Sequence, residues 1–221
     1  MNLVELKALV KKGEGLHLEF KKKADHPDKI VREMVAFSNT GGGILLLGVD
    51  DNRNLSGLKF PDEDTYVMQA AIHLYAKPIL PVKIEVIPIS SGLSVLLFEV
   101  KSGTEKPYFW LADKEKQIFK AYIRHKDQSL KASKEMFQIL RFGAENQAKR
   151  PFQLKELEVK VLSFLGEKGS ITLIDLCTLA KIPVRKASKI LVSWVKQGVL
   201  EINPGEDFDT YILSKSFSNL V

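Results

Sequence analysis

Four acidic residues in the first quarter of the chain, Glu14, Glu19, Asp50 and Asp51, have the type and spacing to do chemistry. Leu16, Leu18 and Phe20 alternate with His17 and Glu19, the period-two pattern of a half-buried strand. Glu19 is therefore expected on the face opposite Leu18 and Phe20. Asp50 and Asp51 end the apolar run Ile44 to Val49, where side chains emerge into solvent. If the two strands are neighbours, Glu14, Glu19 and Asp50 or Asp51 can converge on Mg2+ or Mn2+ through oxygen ligands, polarising a phosphoryl group or activating water. The same residues have ordinary uses: Glu14 and Glu19 can pair with Lys21 to Lys23, and Asp50-Asp51-Asn52 can form an Asx turn.

A second constellation is Asn39-Thr40-Gly41-Gly42-Gly43, whose backbone N–H groups could cradle a phosphate. It lacks the Gly-Lys-Ser/Thr ending of a P-loop, and the glycines also suit a tight helix-to-strand turn with positive φ. Lys21, Lys22, Lys23 and Arg124 are the candidate phosphate contacts of this half.

These residues need elements to position them. Pro27 suits a first helical turn, and Ile30, Val31, Met34, Val35 and Phe37 make one apolar stripe that stops at Ser38-Asn39-Thr40. Ile44 to Val49 reads as a strand covered on both faces. Residues 62–76 read as a helix, Val82 to Ile89 and Ser94 to Val100 as strands, and Ile118 to Arg124 as another. Ser133 is the expected N-cap of a helix reaching Phe142.

The segment Gly143 to Pro151 has no apolar period and carries Gly, Asn and Pro, so a linker is expected over 143–152. Domains are expected at 1–142 and 153–221. In the second, Leu154, Leu157, Val161 and Leu165 share a helical face; Thr172 and Asp175 have capping-box spacing before a helix from Leu173 to Ala180. A third helix runs from Val184 to Gln197, with Val199 to Ile202 and Thr210 to Leu213 as a hairpin. This order resembles a winged helix-turn-helix. Arg185, Lys186, Lys189 and Lys196 put four positive charges on the third helix with no acid, suited to a major groove. The hairpin's Glu201, Glu206, Asp207 and Asp209 would be repelled by DNA, which leaves protein contact open.

The first half resembles the Schlafen-type AlbA domain. The resemblance rests on Glu14 to Lys21 (EGLHLEFK), Ala36 to Gly43 (AFSNTGGG) and Leu47 to Asp51 (LGVDD), and extends weakly to Ala121-Tyr122-Ile123-Arg124 and Ser129 to Ala132. It covers about residues 5–142. It implies an α+β fold, a mixed sheet with helices, ahead of the C-terminal winged helix. Vertebrate Schlafens use this domain as a metal-dependent RNase on tRNA, with acids at the positions of Glu14, Glu19 and Asp50 or Asp51; many bacterial members are transcriptional regulators or ATP-binding proteins, often with a winged helix behind the domain. The nuclease joins two lobes in one chain and carries a zinc site, whereas this chain has one lobe and one cysteine, Cys177.

Composition sets the remaining bounds. The net charge of +6, mostly ahead of Pro151, favours a polyanion partner. One cysteine excludes an internal disulfide and suits a reducing compartment. Nothing resembles a signal peptide or an 18-residue apolar span, so a cytoplasmic protein without membrane contact is expected. The expectation is a nucleic-acid-binding transcriptional regulator, DNA before RNA, needing no cofactor to bind and acting as a homodimer. A metal-dependent endoribonuclease and a non-catalytic adaptor are the alternatives.

Overall fold

The computed structural model describes residues 1–90, 92–142 and 155–218. The chain divides into two compact units, Met1–Lys131 and Ala132–Val221. The expected linker, 143–152, lies outside the described residues.

The first unit contains α1 (Leu3–Lys12), β1 (Leu18–Lys21), α2 (Pro27–Asn39), β2 (Gly43–Leu47), α3 (Pro61–Tyr75), β3 (Ala76–Lys77), β4 (Val82–Ser90), β5 (Leu93–Val100), β6 (Phe109–Asp113), β7 (Ile118–Lys120), β8 (Tyr122–His125) and β9 (Gln128–Lys131). Its main sheet has the order β1-β2-β5-β4; β1 and β2 are parallel, the other pairs antiparallel, so the sheet is mixed. A parallel neighbour cannot follow through a tight turn, and α2 supplies the crossover. The smaller sheet β3-β6-β7 and the hairpin β8-β9 stand apart from that ladder.

The continuous apolar run of β2 has its expected cause. Leu45 and Leu47 pack with α2 and α3 residues such as Val31, Met34, Phe37, Met68 and Ile72, while Leu46 and Val49 pack with Leu6 and Val10 of α1. Alternate side chains thus enter two cores, one on each face. Helix α1 is started by a capping box, in which Asn2 Oδ1 accepts the Glu5 N–H at 2.9 Å and Glu5 returns the bond to the Asn2 N–H. The stretch expected as one strand over Ile118 to Arg124 is broken at the buried Ala121 into β7 and β8, which join different sheets.

The second unit contains α4 (Lys134–Phe142), α5 (Glu156–Lys168), β10 (Ile171–Thr172), α6 (Leu173–Ala180), α7 (Val184–Lys196), β11 (Leu200–Asn203), β12 (Thr210–Leu213) and α8 (Lys215–Ser218). Strands β10-β12-β11 form an antiparallel sheet. Val161, Leu165, Leu176, Ala187, Leu191, Trp194 and Tyr211 make its core. The Thr172–Asp175 capping box is present at α6, and Asp works at N3 because its oxygen still reaches the Thr172 N–H, at 2.9 Å. Helix α4 belongs to this unit, although the sequence groups it with the first half: its N-cap Ser133 bonds Asp209, and its Glu135 accepts from Ser188 of α7.

Gly42 has φ +79, and an added Cβ would lie 2.8 Å from the Val100 carbonyl oxygen and 2.9 Å from the Ser102 nitrogen. Both contacts are backbone, so little can give. Gly42→Ala should destabilise the first unit by about 1–3 kcal/mol, read from urea unfolding of the full chain; an unchanged midpoint would mean that the turn relaxes freely.

Candidate functional site

Arg124, expected from the sequence to contact phosphate, is instead the centre of a buried network; its side chain has no solvent exposure. From β8 its Nη2 donates to the Gly15 carbonyl at 2.7 Å and pairs with Glu19 Oε2 at 3.0 Å. Its Nη1 reaches Glu33 Oε2 of α2 at 3.1 Å and Ser129 Oγ at 3.3 Å. The guanidinium lies 4.8 Å from the centroid of the Phe37 ring. Lys21 pairs with the other side of Glu19, and Arg32 Nη2 with Glu33 Oε1 at 3.0 Å, so charges alternate from Lys21 through Glu19, Arg124 and Glu33 to Arg32. A buried guanidinium requires such carboxylates, and here they come from β1 and α2.

This network also decides the fate of the acidic residues. Glu19 is not on a solvent face: it is 7% exposed. Burial pushes its carboxyl above the usual glutamate range, although Lys21 and Arg124 pull it down. Glu14 is exposed, and its Oε1 accepts the Phe20 N–H at 2.8 Å, holding the chain at the start of β1. Asp50 accepts from the Asn54 N–H at 2.8 Å and from Asn54 Nδ2 at 3.1 Å, the Asx-type turn. Asp51 is exposed on the same turn. Among the described residues no three of His, Cys, Asp and Glu are grouped so as to hold a metal. The set Glu14, Glu19, Asp50 and Asp51 does not fit Mg2+ or Mn2+, because Glu19 is committed to two cations and Asp50 to its own turn.

The glycine turn likewise departs from the phosphate-cradle expectation. The Thr40 N–H returns to the Ala36 and Phe37 carbonyls, and the Gly42 N–H to Phe37 O at 2.8 Å, closing the C-terminus of α2. What the turn presents is carbonyl oxygen: Thr40 O accepts from Lys106 Nζ at 2.8 Å, and Gly42 O pairs with His17 Nδ1 at 2.7 Å. A helix C-terminus disfavours anions, so Asn39, Thr40, Gly41 and Gly42 are badly placed for phosphate. Asn39 is buried and works as a side-chain splice, bonding Tyr108 through both its oxygen and its nitrogen, and Tyr122 O at 2.8 Å. Thr40 Oγ1 accepts the Arg124 N–H at 2.9 Å.

The exposed cations of the first unit lie elsewhere. Lys22 and Lys23 face solvent, whereas Lys21 is tied to Glu19. A concavity lined by Lys7, Lys11 and Arg53 with Val10 and Leu55 adds cations not expected from the sequence. Arg53 adopts φ 64 after the Asp50 turn and donates from Nη1 to the Lys11 carbonyl at 3.3 Å. None of the three cations has an ion pair to a carboxylate among the described residues. Lys7 and Lys11 at i,i+4 were the available signal, once α1 is recognised; Arg53 joins them only through the fold.

In the second unit, α7 sends Ala187, Leu191 and Trp194 into the core and leaves Arg185, Lys186 and Lys189 exposed on another face. Lys196 is partly buried, and desolvation lowers its ammonium pKa. Of the hairpin acids, Glu201, Glu206 and Asp207 are exposed, but Asp209 accepts from Ser133 at the start of α4, and burial raises its carboxyl.

Two outcomes follow. Arg124→Met leaves Glu19 and Glu33 buried without their shared cation and should cost about 3–5 kcal/mol in urea unfolding; adding Glu19→Gln and Glu33→Gln should recover part of that loss, and no recovery would remove the network as its cause. Asn54 holds the Asp50 carboxyl below the usual aspartate range. A depressed pKa contributes stability present above the unfolded value and lost as pH falls through the folded one. Thermal melts of Asp50→Asn should therefore fall less steeply than wild type over that acid window.

The family model for Schlafen, AlbA_2 matches residues 14–133. No curated protein matches the chain. Among solved structures, it is similar to the N-terminal domain of a RecG-related protein from Nitrosomonas europaea, at 23% identity over 51% of this chain and 82% of that one, with a TM-score of 0.43. It is also similar to a protein from Corynebacterium diphtheriae, at 16% identity over 77% of this chain and 31% of that one, again with a TM-score of 0.43. No helix among the described residues is long and apolar enough to cross a membrane. With its EFK strand, its AFSNTGGG turn and the mixed sheet between them accounted for, this chain belongs to the Schlafen AlbA_2 family.

Proposed function

We propose that the protein binds nucleic acid, duplex DNA in the first place, and that its second unit is a winged helix-turn-helix with α7 as the reading helix. The observation that carries this is the outer face of α7, where Arg185, Lys186 and Lys189 are exposed together while the remaining faces pack inward. The order α5, β10, α6, a three-residue turn, α7 and the β11-β12 hairpin supports it. An exposed cationic helix gains free energy from phosphates by counterion release, and a helix of this diameter enters the major groove. In the first unit, Lys22, Lys23 and the Lys7–Lys11–Arg53 concavity are the candidate backbone contacts. Such contacts position without reading sequence, which divides the work between the units. Occupying DNA in this way is how the protein would regulate transcription.

For the nuclease alternative, no three carboxylates are grouped for a metal among the described residues. The adaptor alternative has one observation in its favour: the hairpin end exposes Glu206, Asp207 and Phe208, the last at 65%. Acids repelled by DNA suit a basic protein partner instead.

Replacing Arg185, Lys186 and Lys189 by Ala should weaken duplex binding and flatten the log-affinity against log-salt slope by about 0.9 per lost phosphate contact. Fluorescence anisotropy over a salt series measures both. Affinity and slope equal to wild type would take α7 out of the interface and leave the adaptor reading in its place.

A further inference from the structure

Beside the C-terminal end of α1 lies a concavity of about 270 Å3, lined by Lys7, Val10, Lys11, Arg53 and Leu55. Its floor is part of the core: Val10 is 4% exposed, and both Val10 and Leu55 pack with the buried cluster beneath α1. Its rim carries three positive charges, and among the described residues none of them meets a carboxylate. Lys7 and Lys11 stand one helical turn apart, a like-charge pair that disfavours the helix bearing it. Arg53 brings the third charge from the Asp50 turn, in a left-handed conformation with φ 64 that side chains disfavour. Its guanidinium is held in place. Nη1 donates to the Lys11 carbonyl at 3.3 Å, and the group lies over Gly13, where an added Cβ would come within 2.7 Å of Nη2 and 2.8 Å of Cζ. The C-terminus of α1 accounts for Lys11 and for that one bond, since cations are favoured there. It does not account for Lys7, a turn further back, or for the other N–H groups of a guanidinium that carries five. None of those donates to a protein atom among the described residues.

We infer that this concavity is the seat of a phosphomonoester dianion, with the phosphate between Lys7, Lys11 and Arg53 and the ester group on Val10 and Leu55. A monoester carries a charge of about −1.5 to −2 at neutral pH, which offsets the repulsion among three cations far better than the single charge of a diester. The Arg53 fork suits two phosphate oxygens at once, and the two ammonium groups serve as point charges on the rest. The apolar floor keeps water from one side of the anion and so strengthens each charge-assisted bond. The volume falls just below the ~300–1,000 Å3 of ordinary ligand pockets, which suits a small ester or the end of a strand rather than a base-paired segment. The inference goes beyond the nucleic-acid reading, in which these cations touch backbone diesters. It rests on that reading only where the ester is the 5′-phosphate of a strand, and its first measurement contains no nucleic acid, so either can fail alone.

Isothermal titration calorimetry of the full chain with phenyl phosphate is the test. One saturable site is expected, with no binding of phenol and with the diester methyl phenyl phosphate weaker by about tenfold or more. Lys7→Gln with Lys11→Gln should raise the dissociation constant by about tenfold or more at an unchanged melting temperature, because both side chains are exposed. Arg53→Asn should do the same, asparagine being among the residues that best tolerate a positive φ. Replacing Arg185, Lys186 and Lys189 by Ala should leave phenyl phosphate binding at the wild-type value. Competition by two tetranucleotides, one 5′-phosphorylated and one ending in a 5′-hydroxyl, then identifies the source. Displacement of phenyl phosphate by the phosphorylated strand alone assigns the seat to a strand end, and displacement by neither assigns it to a free ester; both support the dianion. Equal displacement by the two strands places internal diesters in the concavity and overturns the proposal. So does the absence of saturable binding, or an affinity for phenyl phosphate that Lys7→Gln with Lys11→Gln leaves unchanged.

Discussion

The buried guanidinium of Arg124 is the contact on which the first unit depends. It gathers Glu19 from the edge strand β1, Glu33 from α2 and Ser129 from β9, and among the described residues no backbone ladder links the β8-β9 hairpin to the main sheet. Taking a guanidinium from water costs several kcal/mol, and a pair of carboxylates offsets that only when the geometry is exact on both sides. The value of such a network is therefore largely positional. A β1 in another register, or an α2 rotated by one residue, would leave a charge unpaired in the interior, and that penalty favours a single arrangement.

Asn39 and Thr40 extend the same logic to the neighbouring loop. Asn39 completes the hydrogen bonds of Tyr108 and Tyr122, and Thr40 those of Arg124's backbone and of the last turn of α2. Trp110 adds its indole N–H to Asp28 O at 2.8 Å and stacks edge-on against Tyr122, with Arg32 beside both rings. A residue run that invites a phosphate reading is thus occupied by holding the hairpin to the helix. The cations that remain for a ligand are those the network does not use.

That partition explains the charge distribution. Arg124 is a buried counter-ion and Lys21 and Arg32 are half-buried ones at the two ends of its network, while Lys7, Lys11, Lys22, Lys23 and Arg53 in the first unit and Arg185, Lys186 and Lys189 in the second are among the exposed cations. A net charge of +6 understates how unequal these two sets are in function. Only the exposed set can release counterions from a polyanion.

Periodicity and turn chemistry in the sequence were sufficient for the α2 stripe ending before the glycines, the doubly covered β2, the Thr172–Asp175 cap, the α6–turn–α7 order and the exposed Arg185, Lys186 and Lys189. Each depends on neighbours within a few residues, where helix and strand geometry is the same in every fold. Tertiary structure alone decided that Glu19 faces inward, since a period of two separates two sides of a strand and does not say which side is covered; α1 covers the side of Leu18 and Phe20, and the Arg124 network joining α2 and the β8-β9 hairpin covers that of Glu19. It alone decided that Arg124 is a buried counter-ion, that Asp50 and Glu19 serve different loops, and that Arg53 joins Lys7 and Lys11. Those outcomes turn on residues up to 109 positions apart, as in the Arg124 bond to Gly15, and on the cost of an unpaired buried charge, a quantity no local pattern contains.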